Sequence, residues 1–446
     1  MNKINRNLFN IYLLFTREPF SRTYINELEF FSNGDNTIIG LVSLDLIDND
    51  FSGVVLSRDQ SKQYRAENVI TCLSTLEEAR QWVQKEMSSD KIIIHDNKSS
   101  FFDLFNTITK ENQIHPYYNS LKNDEAFSGS KDVIKEISYH YKDIDGNFIE
   151  QFQSLNGFDA RLWELYLFCL CREEGFSFKR NKHAPDFIIE KFNEIIAIEA
   201  VTISRDSSKK IDIKNFEPKS KEETTELLKD EMPLKFGSAL FSKLKKKYWE
   251  LEHVNGKPFL IAIADFHDTM SMTWSFPALI TYLYGYNYEA KHDKNGKLVI
   301  TPIKITEFVK KTGAKIPAGF FNQPDSENIS AILFSSTATV SKFNRMGKQA
   351  GLGSEKLSII RMGAKHNFDE NSSESIPFIN HINEECNELW SEGVSIFHNP
   401  NAIIPLKKEL FPSVAHHFFK DENISSIFPD FFPYFSMNQN IVSVDK

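Results

Sequence analysis

The sequence has little cysteine, no long apolar run and no excess of basic charge. Its four cysteines in 446 residues are too few and too scattered for a disulfide scaffold, and their spacing matches no zinc site. No uncharged apolar stretch reaches the ~18 residues of a membrane-spanning helix, so we expect no membrane partner and a location in the reducing cytoplasm. The net charge of −9 excludes a protein coated with positive charge, but it is compatible with a local nucleic-acid site.

Apolar residues, by contrast, make up 41% of the chain, and 39 residues are Phe, which is enough for large hydrophobic cores. At roughly 100–200 residues per domain, the length predicts two or three domains. We predict an N-terminal α+β module of unknown role over 1–120 and an α/β core over 121–300. Residues 301–446 are predicted to form a C-terminal α/β extension, which is either a separate domain or a continuation of the central sheet.

The pattern of apolar residues and turn signals gives the order of the main elements. A capping box of Ser74 and Glu77 marks the start of one helix. In chain order the predicted elements are strands over 37–46 and 51–56, a helix over 74–87, a strand over 91–95, a helix over 159–174, strands over 176–179, 186–190 and 195–203, a helix over 236–251, a strand over 258–265, and a helix over 276–284.

Three carboxylates stand in contexts that do not suit a charge. Glu164 lies in a helix that is apolar nearly all round, where a carboxylate is costly unless it is paired, hydrogen-bonded or bound to a metal. Asp186 follows Pro185 and opens a strand, while Glu199 interrupts a run of β-branched residues. Each has an ordinary alternative: a salt bridge from Glu164 to Arg161, a simple Pro-Asp turn, or a solvent-facing Glu199.

The spacing of these carboxylates allows them to converge. Asp186 follows Glu164 by 22 residues and precedes Glu199 by 13, so two adjacent strands and the helix packed on them can bring all three together. Clustered carboxylates suit a hard divalent cation such as Mg²⁺, which prefers oxygen ligands and keeps several waters. Such an ion can polarise a phosphodiester and activate a water.

This set of residues resembles the PD-(D/E)xK phosphodiesterase superfamily, over roughly residues 158–265. The resemblance implies a restriction-endonuclease-like mixed sheet flanked by helices. It also implies that Asp186 and Glu199 bind Mg²⁺, with help from Glu164, and that Mn²⁺ can substitute.

The sequence departs from the superfamily pattern at the lysine that follows the strand Glu by two residues, where this chain has Val201. Members of the superfamily can carry this lysine on another element, often the following helix. Lys243 is the first candidate here, with Lys247 predicted on the same helix face, and Lys182 is a second. The alternative for the helix is a solvated basic face.

Two basic segments are candidates for nucleic-acid contact. Residues 201–250 contain 12 Lys and Arg against 9 Asp and Glu, and the run Lys245, Lys246 and Lys247 is followed by two aromatic residues. Cations and glycines in a second segment suit phosphate contact, although an ordinary loop is the alternative. That second set is Lys342, Arg345 and Lys348.

The residues and the resemblance together predict a Mg²⁺-dependent DNA endonuclease of the restriction or anti-phage defence kind. RNA is a further candidate substrate, and a homodimer or partner subunits of a defence system are candidate assemblies. The alternative, which Val201 favours, is a catalytically inactive nucleic-acid-binding or assembly subunit that keeps the nuclease fold.

Overall fold

The computed structural model describes residues 1–88, 102–179, 182–205, 219–310 and 312–444. Helices pack around a large mixed sheet, which confirms the predicted α/β class. The strand predicted over 91–95 lies outside the described residues. Within the described ranges, no helix combines the length and the apolar character needed to cross a membrane.

The elements follow one another along the chain as a mixture of short and long segments. The helices of the described residues are α1 (Arg6–Leu13), α2 (Leu76–Met87), α3 (Pro116–Asn123), α4 (Ser128–Ser138), α5 (Phe148–Gln153), α6 (Phe158–Glu173), α7 (Lys221–Glu226), α8 (Met232–Leu244), α9 (Phe276–Tyr284) and α10 (Val340–Gln349). The strands are β1 (Asn2–Lys3), β2 (Ile25–Ser32), β3 (Ile38–Asp45), β4 (Phe51–Arg58), β5 (Tyr64–Leu73), β6 (Ser177–Phe178), β7 (Phe187–Lys191), β8 (Glu194–Ile203), β9 (Phe259–Asp265), β10 (Tyr286–His292), β11 (Leu298–Lys304), β12 (Glu307–Val309), β13 (Lys315–Pro317), β14 (Ala331–Ser335), β15 (Leu357–Lys365), β16 (Ile376–Ile382), β17 (Val394–His398), β18 (Ala415–Lys420), β19 (Asn423–Ile427) and β20 (Pro433–Val442).

The N-terminal module is an antiparallel sheet in the order β1-β2-β3-β4-β5, with α2 packed on β3 and β4. Thr75 caps α2, because its side chain accepts a hydrogen bond from the Glu78 backbone N–H at 3.2 Å. The Glu78 carboxylate in turn accepts from the Ser74 N–H. The capping box is therefore present, but it lies one residue later than the predicted Ser74 and Glu77 pair.

The central sheet has eight strands in the order β19-β18-β17-β14-β9-β8-β7-β6. Strands β8 and β9 are parallel, while β7 and β8 form an antiparallel pair. Four strands of this sheet come from beyond residue 300, so the C-terminal extension continues the central sheet. Three later strands form a separate sheet in the order β16-β15-β20.

Two helices position the candidate site, and both pack against β8. Helix α6 is almost completely buried, and Trp163 donates a hydrogen bond from Nε1 to the backbone oxygen of Ala262 in β9 at 3.1 Å. Cys169 and Cys171 lie unpaired in its core, as the sequence predicts.

Helix α8 ends earlier than predicted, at Leu244 rather than near residue 251. Lys247 adopts a left-handed conformation with φ of 49°, and a 3₁₀ turn over Tyr248–Glu250 follows. The chain turns here because Tyr248 is buried beside Phe259 of the sheet, with ring centroids 5.9 Å apart. The prediction that Lys243 and Lys247 share one helix face is therefore wrong.

Candidate active site

Asp186 and Glu199 lie next to each other on the antiparallel pair β7 and β8. Phe187 pairs with Ile198, so Asp186, one residue earlier, stands opposite Glu199. The backbone N–H of Ala200 donates a hydrogen bond to Asp186 Oδ2 at 2.7 Å. Glu199 is only 4% exposed, which excludes the alternative of a solvent-facing residue.

Lys243 reaches Glu199 from α8. Its Nζ lies 2.6 Å from Glu199 Oε1, and the hydroxyl of Tyr248 donates to the same oxygen at 2.8 Å. Val201, at the position of the superfamily's lysine, instead packs against the hydrophobic core. Lys182, the second candidate, is exposed in the segment before Asp186. The helix thus supplies an ammonium group to the strand carboxylate.

Glu164 lies in α6 with two strong partners. Arg161 donates to its Oε1 at 2.6 Å, and the Tyr141 hydroxyl donates to its Oε2 at 2.6 Å. The salt bridge considered as the ordinary alternative for Glu164 is therefore formed. The carboxylate still acts on the site, because its charge is among those that raise the pKa of Asp186.

The electrostatics of the site centre on Asp186. Burial raises the pKa of its carboxyl well above the usual range, and the negative charges of Glu199 and Glu164 raise it further. The Ala200 N–H and the Lys243 charge oppose this shift. Burial and the Glu199 carboxylate also raise the pKa of Tyr248, which keeps its hydroxyl a hydrogen-bond donor at neutral pH.

The carboxylates fit a divalent cation held by two side chains rather than three. Within the described residues, no group of three or more His, Cys, Asp and Glu side chains is arranged to hold a metal ion. Asp186 Oδ1 and Glu199 Oε2, however, accept no hydrogen bond from the described part of the chain. A raised carboxyl pKa marks excess negative potential, which a cation relieves, and Mg²⁺ needs only one or two carboxylates besides water.

We expect Asp186→Asn to stabilise the metal-free protein at neutral pH. The folded-state pKa of Asp186 lies above the unfolded value of about 4, so its ionisation costs stability as the pH rises through the folded-state pKa. The amide cannot ionise, and the melting temperature should rise by about 2–4 °C at pH 7. Thermal melts in EDTA at pH 7 and pH 4 measure this difference. It should vanish at pH 4, and equal melting temperatures at pH 7 would contradict the expectation.

Two tyrosines of the site escape sequence reasoning. Tyr248 binds Glu199 from a 3₁₀ turn, and Tyr141 binds Glu164 from the segment after α4. Neither has a spacing or motif that points to a carboxylate. The only available signal is that a buried Glu needs donors, and this does not say which residues supply them.

The prediction that Lys342 and Arg345 contact nucleic acid is wrong. Both are fully buried on α10, where the sequence suggested a loop. Arg345 makes two hydrogen bonds to the Glu388 carboxylate, each at 2.8 Å, and Lys342 donates to it at 2.7 Å. Burial would raise the pKa of Glu388, but Arg345, Lys342 and Arg361 together hold it well below its usual range. These cations form an internal ion-pair cluster.

The other basic candidates differ in exposure. Lys245 and Lys246 are exposed beyond the end of α8. Lys247 is paired with Asp325 at 3.1 Å. Lys348 is partly buried, and its Nζ lies 3.3 Å from the Ser354 backbone oxygen. Lys245 and Lys246 are therefore the best placed of the six for contact with a phosphate backbone.

The site as a whole combines a two-carboxylate pair, an adjacent ammonium group and a further carboxylate held nearby. Asp186 and Glu199 could hold a hard cation, and Lys243 could contact an anion beside it. This combination suits chemistry at a phosphate ester. The chain matches no family model, no curated protein and no solved structure.

Proposed function

We propose that this protein is a Mg²⁺-dependent phosphodiesterase that cleaves DNA. The observation that carries the proposal is the 2.6 Å contact between Lys243 Nζ and Glu199 Oε1, beside Asp186. A lysine from the following helix thus takes the place beside the strand Glu that Val201 leaves unfilled. The position of this lysine supports the resemblance to the PD-(D/E)xK superfamily.

Each residue of the site has a separate role in the proposed reaction. Asp186 and Glu199 would hold Mg²⁺, and Glu164 adds negative charge that favours the cation. When bound, Mg²⁺ polarises the phosphodiester, activates a water and stabilises the departing oxygen. Lys243 stabilises the charge that develops on the phosphate and orients the attacking water. Tyr248 holds Glu199 in place through its hydroxyl.

DNA is the proposed substrate, and a restriction or anti-phage role in the cytoplasm follows from the superfamily resemblance. Lys245 and Lys246 extend the basic surface beyond α8, close in sequence to the partly buried Trp249. Cations of this kind contact phosphates without reading sequence. Cleavage of both strands suits a homodimer or an assembly with partner subunits.

A catalytically inactive nucleic-acid-binding or assembly subunit is the second candidate. It is favoured by the saturation of Glu199 Oε1, which already accepts from both Lys243 and Tyr248. A buried, hydrogen-bonded ion pair of this kind is also typical of a purely structural contact.

Binding and cleavage measured side by side separate the two candidates. We expect the purified chain to cut duplex DNA in Mg²⁺ or Mn²⁺ and to lose cleavage in EDTA, while RNA in parallel reactions tests the sugar preference. Cleavage depends on the ion, whereas contacts of lysine with phosphate do not. Binding with no cutting in either metal would favour the inactive subunit.

A further inference from the structure

A cavity of about 330 Å³ lies beyond the carboxyl end of β9, apart from the carboxylates of the candidate active site. The first turn of α6, the turn after β9, the start of α10 and part of β20 form its wall. Asp265 in this wall pairs with Ile203, four residues beyond Glu199 on β8, which corresponds to about 13 Å along the strand. The volume is near the lower end of the range for small-molecule pockets, ~300–1,000 Å³.

Three buried polar atoms in the wall have no hydrogen-bond partner within the part of the chain that the structure describes. They are Asp265 Oδ2, Ser436 Oγ and Asn440 Oδ1. Asp265 is 1% exposed and Ser436 is 6% exposed. Unpartnered buried polar atoms are rare in folded proteins, so three of them in one cavity indicate that a ligand supplies their partners.

The open oxygen of Asp265 is held in place by bonds to the rest of the group. Its Oδ1 accepts from the His267 backbone N–H at 3.1 Å and from His267 Nδ1 at 2.7 Å. Asn440 is oriented in the same manner, because its Nδ2 donates to the Ala126 backbone oxygen at 3.1 Å. The cavity therefore presents two fixed acceptors and one hydroxyl, and a matching ligand must bring N–H donors.

The remaining wall is largely apolar and includes aromatic and methionine side chains. These residues are Phe158, Leu162, Phe266, Met272 and Met437. They require a ligand with apolar faces, which an aliphatic ammonium lacks. A planar heterocycle with an amino group has both the apolar faces and the N–H donors at its edge.

We propose that this cavity binds a nucleobase that carries an exocyclic amino group, either in a free nucleoside or as an unpaired base of a strand. The amino group donates to Asp265 Oδ2 or Asn440 Oδ1, and the faces of the base pack against the apolar wall. This site is independent of the proposed cleavage reaction, because it shares no residue with Asp186, Glu199 or Lys243.

Calorimetric titration of the full chain in EDTA tests the proposal without any cleavage. The probes are adenosine and cytidine, with purine riboside and uridine as matched ligands that lack the amino group. We expect adenosine or cytidine to bind at least about tenfold more tightly than its matched ligand, because the matched ligand leaves the buried acceptors unpaired. A short single-stranded oligonucleotide, compared with one that carries abasic sites, shows whether the base comes from a strand.

Variants assign the binding to the cavity. Asp265→Asn keeps an oxygen for His267 but replaces Oδ2 with an NH₂ group, and it should weaken binding about tenfold or more. Ser436→Ala removes only an unpartnered hydroxyl, so it leaves the fold intact and should weaken binding about threefold. Asp268→Asn is the matched control, because that carboxylate is already paired with Lys219 at 2.7 Å.

The outcomes divide clearly. Tighter binding of amino-bearing nucleosides or of the base-containing oligonucleotide, weakened in Asp265→Asn and Ser436→Ala, supports the site and identifies its source of bases. No binding of any probe at millimolar concentration overturns the proposal. Equal binding of matched ligands, a comparable loss in Asp268→Asn, or tighter binding of spermidine also overturns it.

Discussion

Replacement of Glu199 by Gln is expected to lower Mg²⁺-dependent DNA cleavage by about 10³-fold or more. The amide keeps an oxygen that can accept from Lys243 and Tyr248, so the local fold should persist. It loses the negative charge that would hold the cation opposite Asp186. Cleavage of a labelled duplex under single-turnover conditions measures the loss, and circular dichroism shows whether the fold is retained.

Glu194→Gln provides a matched control on the same strand. Glu194 also lies on β8, but it is partly exposed and pairs with Lys407 at 2.5 Å, away from Asp186. We expect this variant to cleave within about twofold of the parent chain, because exposed ion pairs contribute little. The assignment of the metal site to β7 and β8 is wrong if Glu199→Gln cleaves as well as Glu194→Gln.

The carboxylates could be predicted from the sequence because apolar neighbours make an idle charge unfavourable. Glu164 lies in a helix with buried residues on every side, and Glu199 lies in a strand of β-branched residues. The register of β7 and β8 then follows from a short connection, which places Asp186 opposite Glu199. Local patterns of this kind are available in a sequence, since only a few residues separate the cause from the effect.

The partners of these carboxylates could not be predicted in the same way. Tyr248 reaches Glu199 across 49 residues, and only the early end of α8 brings it there. Arg345 pairs with Glu388 across 43 residues. A cation beside glycines therefore looks like a surface phosphate contact until the distant acceptor is known. Long-range pairing decides whether a charge is buried or exposed.

The C-terminal extension illustrates a second limit. Strand β14 pairs with β9 in parallel and with β17 in an antiparallel arrangement, so the central sheet crosses the predicted boundary at residue 300. The apolar run that forms β14 is visible in the sequence, but its neighbours are not. The order of strands depends on connections that pass through other elements, and periodicity carries no information about them.

Lys243→Met is expected to lower cleavage by about 10²–10³-fold while metal binding persists. Methionine keeps the length of the side chain, but it removes the ammonium group that lies 2.6 Å from Glu199 Oε1. The loss should appear in the rate of the chemical step, because the proposed role of the lysine is to stabilise developing charge on the phosphate. Cleavage at saturating Mg²⁺, with metal affinity measured by titration, separates this effect from loss of the cation.

A relocated lysine provides the sharper test. Val201 is two residues beyond Glu199 on β8, so strand alternation places both side chains on the same face of the sheet. If Lys243 supplies the ammonium group that Val201 lacks, the Val201→Lys change should restore at least about tenfold of the activity lost in Lys243→Met. Val201→Met in the same background is the matched control, because it adds a similar apolar stem without charge. Full activity of Lys243→Met would exclude a catalytic role for this lysine, and equal rescue by both changes at Val201 would show that packing, rather than charge, is restored.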